Sequence, residues 1–355
     1  MKHSLLVFLF INFIAIIKAQ PPQGYYNTAS GKIGNDLQQA LHDIIDNHTS
    51  VSYAEIWNSF KTTDKKANGK VWDMYSDIPG STPPYEFTFV TNQCGNYSAE
   101  GDCYNREHSW PKSWFNDAAP MYTDLFHIVA TDGYVNGKRS NYPFGDVGAA
   151  SWTSLNGSKL GSCITPGYSG VVFEPRDDFK GDFARNYFYM ATRYYREDSG
   201  WPGSDMVTGS QFKVWAKVML LIWAQEDPVS QKEIDRNNAV NAIQHNRNPF
   251  IDHPEYANSI WGTNAGIFDE PSLVALQAYP NPVTTTCTIT LPPEFHQQNH
   301  VFAVYSSTGY AVVVPIAIAG DRATMNFENL PAGLYIVRLA LNDYNTLYQS
   351  RIIKK

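Results

Sequence analysis

Glu107-His108 sets a carboxylate beside an imidazole, and further along Asn136 and Asn141 frame a Gly-Lys-Arg-Ser segment with room for a short helix. A hard divalent cation such as Mg2+ prefers oxygen ligands and keeps several waters, so one carboxylate and one amide oxygen suffice to hold it. A neighbouring His, with an unperturbed pKa near ~6.5, can take a proton from an attacking water at neutral pH. Together these residue types make one-metal phosphodiester hydrolysis conceivable. An isolated Glu-His dipeptide is weak grounds for it, because either side chain can simply face solvent. Competing chemistries have less support. The chain has no G-x-S-x-G elbow and no P-loop, no C-x-x-C pair, and no zinc-ligand spacing among His108, His127 and His253.

The elements that must position these residues are read from periodicity. From residue 35 to about 262 helices and loops dominate. Leu37, Leu41, Ile44 and Ile45 make one helical stripe, and residues 183–197 read as an aromatic-rich helix. Residues 211–226 are apolar nearly all round, which predicts a buried helix stopped by Asp227-Pro228. Residues 230–245 form a polar helix, and the turn-rich Arg247 to Pro249 with His253-Pro254 is expected to hold its lobe together rather than to catalyse. After Pro271 the pattern becomes short alternating strands at 302–306, 311–319, 323–327, 334–341 and 347–353, the spacing of a small β-sandwich. The predicted class is α+β: a mostly helical domain at 20–268, a linker at 269–274 and an all-β sandwich at 275–355.

Composition sets the limits. The 355 residues include 22 Tyr, 19 Phe and 9 Trp, too many for a disordered chain, and the length suits two folded units. Met1-Lys2-His3, the apolar run 4–17 and Lys18-Ala19-Gln20 read as a signal peptide over residues 1–19, so the protein is expected to be exported. No later apolar run is long enough to span a bilayer, and stable membrane insertion is not expected. Export permits disulfides. Cys94 and Cys103 flank a turn-rich loop suited to a local bridge, Cys163 is free or paired, and Cys287 alternates with Ile289 and Leu291 as a buried small hydrophobe. Residues 20–270 carry 20 Lys/Arg against 30 Asp/Glu, whereas 271–355 carry five against four. An acidic domain does not advertise nucleic-acid binding, which needs local positive charge.

Four stretches change the odds: NREHSWPKSWF at 105–115, D-L-x-x-I at 124–128, V-N-G-x-R-S-N at 135–141 and QHNRNPFIDHPEYANSIW at 244–261. Their order resembles the bacterial endonuclease I family of secreted nucleases, whose core is a ββα-metal (His-Me) finger, and the resemblance spans most of residues 30–262. It implies His108 as general base at the end of the finger's strand, with Glu107 and Asn136 as Mg2+ ligands. The first Asn of V-N-G is the family's ligand, so Asn141 is expected only to support the helix terminus. The second nitrogen of His108 is expected on a backbone carbonyl, the Tyr122-Thr123 region being the candidate. Some family members carry a long cysteine-bearing insertion, with a phosphate-binding Arg, between the finger strand and the Asp-Leu segment. Here only residues 109–123 lie between, so Arg139 is taken as the catalytic cation, with Lys138, Lys112 and Arg106 as the other candidates. His127 either reaches the site or is a buried structural residue.

Tyr279-Pro280-Asn281-Pro282, residues 304–309 and residues 330–337 resemble the C-terminal sorting domain of the type IX secretion system. The two resemblances imply a secreted or surface-displayed protein exported through the periplasm. It would be a monomeric, sequence-nonspecific endonuclease with Mg2+ (Mn2+ or Ca2+ as substitutes), and its substrate would be DNA with RNA as a second class. Alternatives are a catalytically idle adhesin or nucleic-acid-binding module, and a metal-dependent phosphatase.

Overall fold

A computed structural model of the chain describes residues 21–262, 272–295, 300–306, 312–341 and 346–355; the expected leader 1–19 and residues 269–271 of the expected linker lie outside them, whereas the rest of that linker belongs to a strand. Within 21–262 the helices are α1 (Gly34–Ile45), α2 (Ile56–Thr63), α3 (Gly133–Arg139), α4 (Lys180–Arg193), α5 (Val214–Glu226), α6 (Gln231–Gln244), α7 (Pro249–Asp252) and α8 (Glu255–Trp261). Every residue of α4 is buried, with α1, α5 and α7 packed around it. Its Tyr and Phe side chains fill the centre of the core, and its charges require partners there. Arg185 is accordingly ion-paired with Glu233 of α6, the residue that also completes the Ser230 capping box starting that helix. α5 is not enclosed as its composition suggested. Trp215, Met219, Leu220 and Trp223 are buried, but Val218 and Ile222 remain 47% exposed. A helix laid on one side of α4 buries a stripe, whatever residues occupy its outer face.

The domain is also not mostly helical, because strands are interleaved throughout. They are β1 (Tyr104–His108), β2 (Ile128–Asp132), β3 (Val147–Thr153), β4 (Lys159–Cys163), β5 (Val171–Glu174), β6 (Val207–Thr208) and β7 (Gln211–Phe212). β3, β4 and β5 form an antiparallel sheet in a stretch without period-2 alternation. Two register shifts, between Val147 and Ala149 and between Ala150 and Trp152, break the alternation that would have marked β3 as a strand. Gly161 of β4 faces the Ala149 carbonyl at a distance that leaves no room for a Cβ.

The site rests on a smaller unit. β1 pairs antiparallel with β2 in the register Glu107↔Val129 and His108↔Ile128. The ladder ends where Ser109 N donates to the His127 carbonyl at 2.9 Å. α3 follows β2 at once, with Asp132 as N-cap accepting from Val135 N at 2.9 Å.

The C-terminal strands are β8 (Ser272–Ala275), β9 (Ala278–Tyr279), β10 (Thr286–Thr290), β11 (His300–Ser306), β12 (Ile316–Ala319), β13 (Arg322–Asn326), β14 (Gly333–Leu341) and β15 (Thr346–Lys354). They form two four-stranded sheets, ordered β12-β13-β10-β9 and β11-β14-β15-β8, antiparallel except for β15 with β8. Cys287, Ile289 and Met325 of the first share a core with Val304, Val337 and Ile352 of the second, the alternation that makes a sandwich. Cys287 is a free, buried thiol there.

Candidate active site

β1 divides its side chains between two faces: Asn105 and Glu107 on one, Arg106 and His108 on the other. α3 covers the first face. Asn136 and Arg139, one helical turn apart, meet Asn105 and Glu107 respectively. Asn136 Nδ2 donates to Asn105 Oδ1 at 2.8 Å, and Arg139 Nη1 donates to Glu107 Oε1 at 2.9 Å. The Tyr75 hydroxyl donates to the same Oε1 at 3.0 Å. Glu107 Oε2 and Asn136 Oδ1 are left without a hydrogen-bond partner among the described residues, and they are the two oxygens a hard cation would take. Burial pushes the Glu107 carboxyl up to about 7, against the pull of Arg139 and Tyr75. A bound cation would favour its ionised form and release that proton.

On the opposite face His108 Nε2 lies 3.1 Å from the Tyr122 carbonyl, within the region anticipated from the sequence. A carbonyl partner requires that nitrogen to carry the proton, so Nδ1 presents the lone pair. Burial, reinforced by His127, Lys112 and Arg106, pushes the imidazole down to about 3, while the Tyr122 carbonyl works the other way. The ring is therefore neutral at neutral pH, the form a general base needs. His127 packs behind it at 5.5 Å between ring centroids, with Nε2 on the Met121 carbonyl at 2.7 Å. It is buried in the turn before β2 and serves as packing.

Arg139 is placed differently from the phosphate contact expected of it. It is 1% exposed, and it also donates to the His108 carbonyl (3.0 Å), the Ser109 carbonyl (2.5 Å) and the Tyr187 hydroxyl (3.2 Å). The guanidinium clamps Glu107 and the end of β1 from inside. The sequence carried a signal for this: Arg139 stands three residues after Asn136, on the same helical face. Asn141 is exposed beyond the end of α3, and Lys138 lies over the Tyr134 ring at 5.1 Å.

The supporting shell was largely invisible in the sequence. Asp124 is a buried acceptor for Tyr189 (2.9 Å), Tyr194 (2.8 Å) and Gln244 (3.1 Å), which fixes the turn whose carbonyls hold both histidines. Arg247 pairs with Asp252 at 2.6 Å at the corner between α6 and α7, the bracing role expected of that motif. Cys94 and Cys103 form the expected disulfide. Its loop lays Tyr97 across α3, where a Cβ on Gly133 would meet the Tyr97 ring at 2.5 Å and one on Gly137 the hydroxyl at 2.7 Å. These two positions tolerate the ring because they lack side chains. Among the described residues no helix is long and apolar enough to cross a membrane.

The profile of the family described as Endonuclease I matches residues 33–255, and that of a secretion system C-terminal sorting domain matches residues 277–355. An extracellular ribonuclease of Bacillus amyloliquefaciens is 38% identical over 247 residues, 67% of this chain and 78% of that protein. The extracellular ribonuclease of Bacillus subtilis (strain 168) is 37% identical over the same coverage. A periplasmic deoxyribonuclease of Aeromonas hydrophila is 26% identical over 134 residues, 37% of this chain and 48% of that protein.

Proposed function

This chain belongs to the endonuclease I family of metal-dependent nucleic-acid hydrolases, and from that premise we propose that it is a Mg2+-dependent, sequence-nonspecific endonuclease using a His-activated water beside one metal ion. Its sorting domain and extracellular relatives make it a secreted or cell-surface nuclease. One observation carries the finer reading. Among the described residues Glu107 Oε2, Asn136 Oδ1 and His108 Nδ1, all of one strand–helix unit, have no hydrogen-bond partner, while the remaining polar atoms of the same side chains are tied down.

His108 Nδ1 accepts the proton of the attacking water, and the Tyr122 carbonyl holds the ring and its tautomer while it does so. Arg139 and Tyr75 fix one oxygen of Glu107 and leave the other free. A divalent cation held by Glu107 and Asn136 would supply charge neutralisation at the phosphorus and at the leaving 3′-oxygen. The all-oxygen donor set suits Mg2+, with Mn2+ or Ca2+ as substitutes. Attack by external water makes no use of a 2′-hydroxyl, so DNA and RNA both serve, consistent with relatives named as ribonucleases and as deoxyribonucleases. Departure of the 3′-oxygen leaves 5′-phosphate ends. Every residue in this scheme lies on one chain, so a monomer suffices. Residues 20–268 carry the activity and residues 275–355 serve export, so 21–262 alone should cleave at the full chain's rate.

The test is cleavage of plasmid and of RNA in Mg2+ and in EDTA, alongside calorimetric Mg2+ titration of alanine variants. His108→Ala should bind Mg2+ and cleave roughly 10²–10⁴-fold more slowly, whereas Glu107→Ala and Asn136→Ala should weaken Mg2+ binding. Wild-type cleavage by His108→Ala would overturn the reading.

A further inference from the structure

With Arg139 buried, the site still needs a cation for the substrate. The alternation of β1 puts Arg106 on the face of His108, and two aromatic rings hold it there. Its guanidinium carbon lies 3.6 Å from the Tyr53 ring centroid and 4.4 Å from that of Trp57, and Nη1 donates to the Tyr53 carbonyl at 2.8 Å. The other guanidinium nitrogens have no hydrogen-bond partner among the described residues. Arg139, Arg185, Arg193, Arg236 and Arg247 each face a carboxylate. Arg106 has no such partner among the described residues, in a chain whose net charge is −7. A planar guanidinium held in a fixed orientation, with free forked donors and no internal counter-ion, suits an oxyanion arriving from outside. Tyr53 and Tyr122 stand 4.6 Å apart, at 6.2 and 5.3 Å from the His108 ring. Lys112 Nζ lies 5.7 Å over Tyr122 but is ion-paired with Asp117 at 2.5 Å. Arg106 is therefore the better-placed cation on this face.

We propose that Arg106, stacked on Tyr53 and Trp57 beside His108, binds a backbone phosphate of the nucleic-acid substrate. The inference rests on the nuclease reading above. It also supplies the local positive charge that a domain acidic on average requires. The aromatic stack serves to present the fork; a lysine there would keep the charge but not the bidentate geometry.

The experiment uses the full chain in a non-cleaving His108→Ala background and follows binding of a fluorescein-labelled single-stranded oligonucleotide by anisotropy between 50 and 200 mM NaCl. Arg106→Gln should weaken binding roughly tenfold or more. It should also make the slope of log affinity against log salt shallower by about 0.7, the contribution of one phosphate contact on a single strand. Arg106→Lys should keep the slope and lose affinity. A purely structural brace would not change the slope. Folding of each variant is checked by its melting transition and near-UV spectrum. If Arg106→Gln does not fold, Arg106→Lys in the cleaving enzyme decides: a raised KM with unchanged kcat supports the proposal, and wild-type KM overturns it. A folded Arg106→Gln with wild-type affinity and slope sinks the inference alone. Failure of the wild-type enzyme to cleave in Mg2+ sinks the nuclease reading first.

Discussion

Replacing Arg139 with Met tests whether the guanidinium braces the site from within or reaches out to substrate. Met keeps a long apolar stem and removes the charge and the donors. Both members of the Arg139–Glu107 pair are buried, at 1% and 3% exposure, so the variant leaves Glu107 as an uncompensated interior carboxylate. Removing one partner of such a pair costs about 3–5 kcal/mol. The Ser109 carbonyl keeps the Tyr187 hydroxyl at 2.8 Å, so the penalty falls chiefly on Glu107. For a domain of this size the loss should lower the melting temperature by roughly 6–20 °C. The penalty should also depend on pH. Burial already pushes the Glu107 carboxyl up to about 7, and loss of Arg139 raises it further. A group whose folded pKa is raised contributes stability below its unfolded pKa and loses it as pH rises through the folded value. Glu107 escapes by taking up a proton, so Arg139→Met should be hurt less at pH 6 than at pH 8, and adding Glu107→Gln should recover part of the loss. Thermal unfolding of the full chain in EDTA, followed by near-UV ellipticity, reads this directly. An Arg139→Met protein that melts within about 2 °C of wild type at pH 8, but shows a raised KM, would refute the argument and return Arg139 to the role of external phosphate contact.

Two further outcomes follow from the supporting shell. Gly133→Ala places a methyl against the Tyr97 ring and should destabilise by about 1–3 kcal/mol; adding Tyr97→Ala should cancel most of it, and an unshifted Gly133→Ala melt would disprove the contact. Asp73 accepts from the backbone N–H of Asp132, the N-cap of α3, at 2.9 Å, and burial and the neighbouring Asp132 push its carboxyl up to about 8. It therefore retains its proton in the fold after the unfolded chain has released it near ~3.9, and its contribution to stability is lost as pH rises from about 4 through about 8. Asp73→Asn should flatten that decline in urea-unfolding free energies. Identical pH slopes in the two proteins would count against it.

The sequence was most informative where chemistry and local pattern coincide. Glu107 and His108 are adjacent on β1 with side chains on opposite faces, and one turn of α3 sets Asn136 on Asn105 and Arg139 on Glu107, while the Cys94–Cys103 bridge followed from a short turn-rich loop. Arg139 was misjudged because residue type alone does not say whether a cation faces solvent or a buried carboxylate, and its partner Glu107 lies on another element. The β3–β5 sheet was missed in part because two register shifts broke the period of β3. Val218 and Ile222 show that an all-apolar helix sequence does not specify burial on every side. Tyr75, Tyr97 and Asp124 act through contacts distant in sequence, which a single chain does not announce.

Ser109 N and Oγ both bond the His127 carbonyl at 2.9 Å, so the chain leaves the β1–β2 ribbon and re-enters it at one closed point. For the evolution and engineering of the enzyme this makes the intervening segment a port. One extra residue inside β1 would send every subsequent side chain to the opposite face and exchange the faces of Glu107 and His108. Extra residues beyond Ser109 leave that register untouched, and each doubling of such a loop costs only about 0.6 kcal/mol. An insertion here therefore leaves the strand that carries Glu107 and His108 unchanged. In this protein the exposed turn at Asn116 and Asp117, both in the left-handed region, is where a recognition module could be grafted while the Tyr122 carbonyl stays on His108.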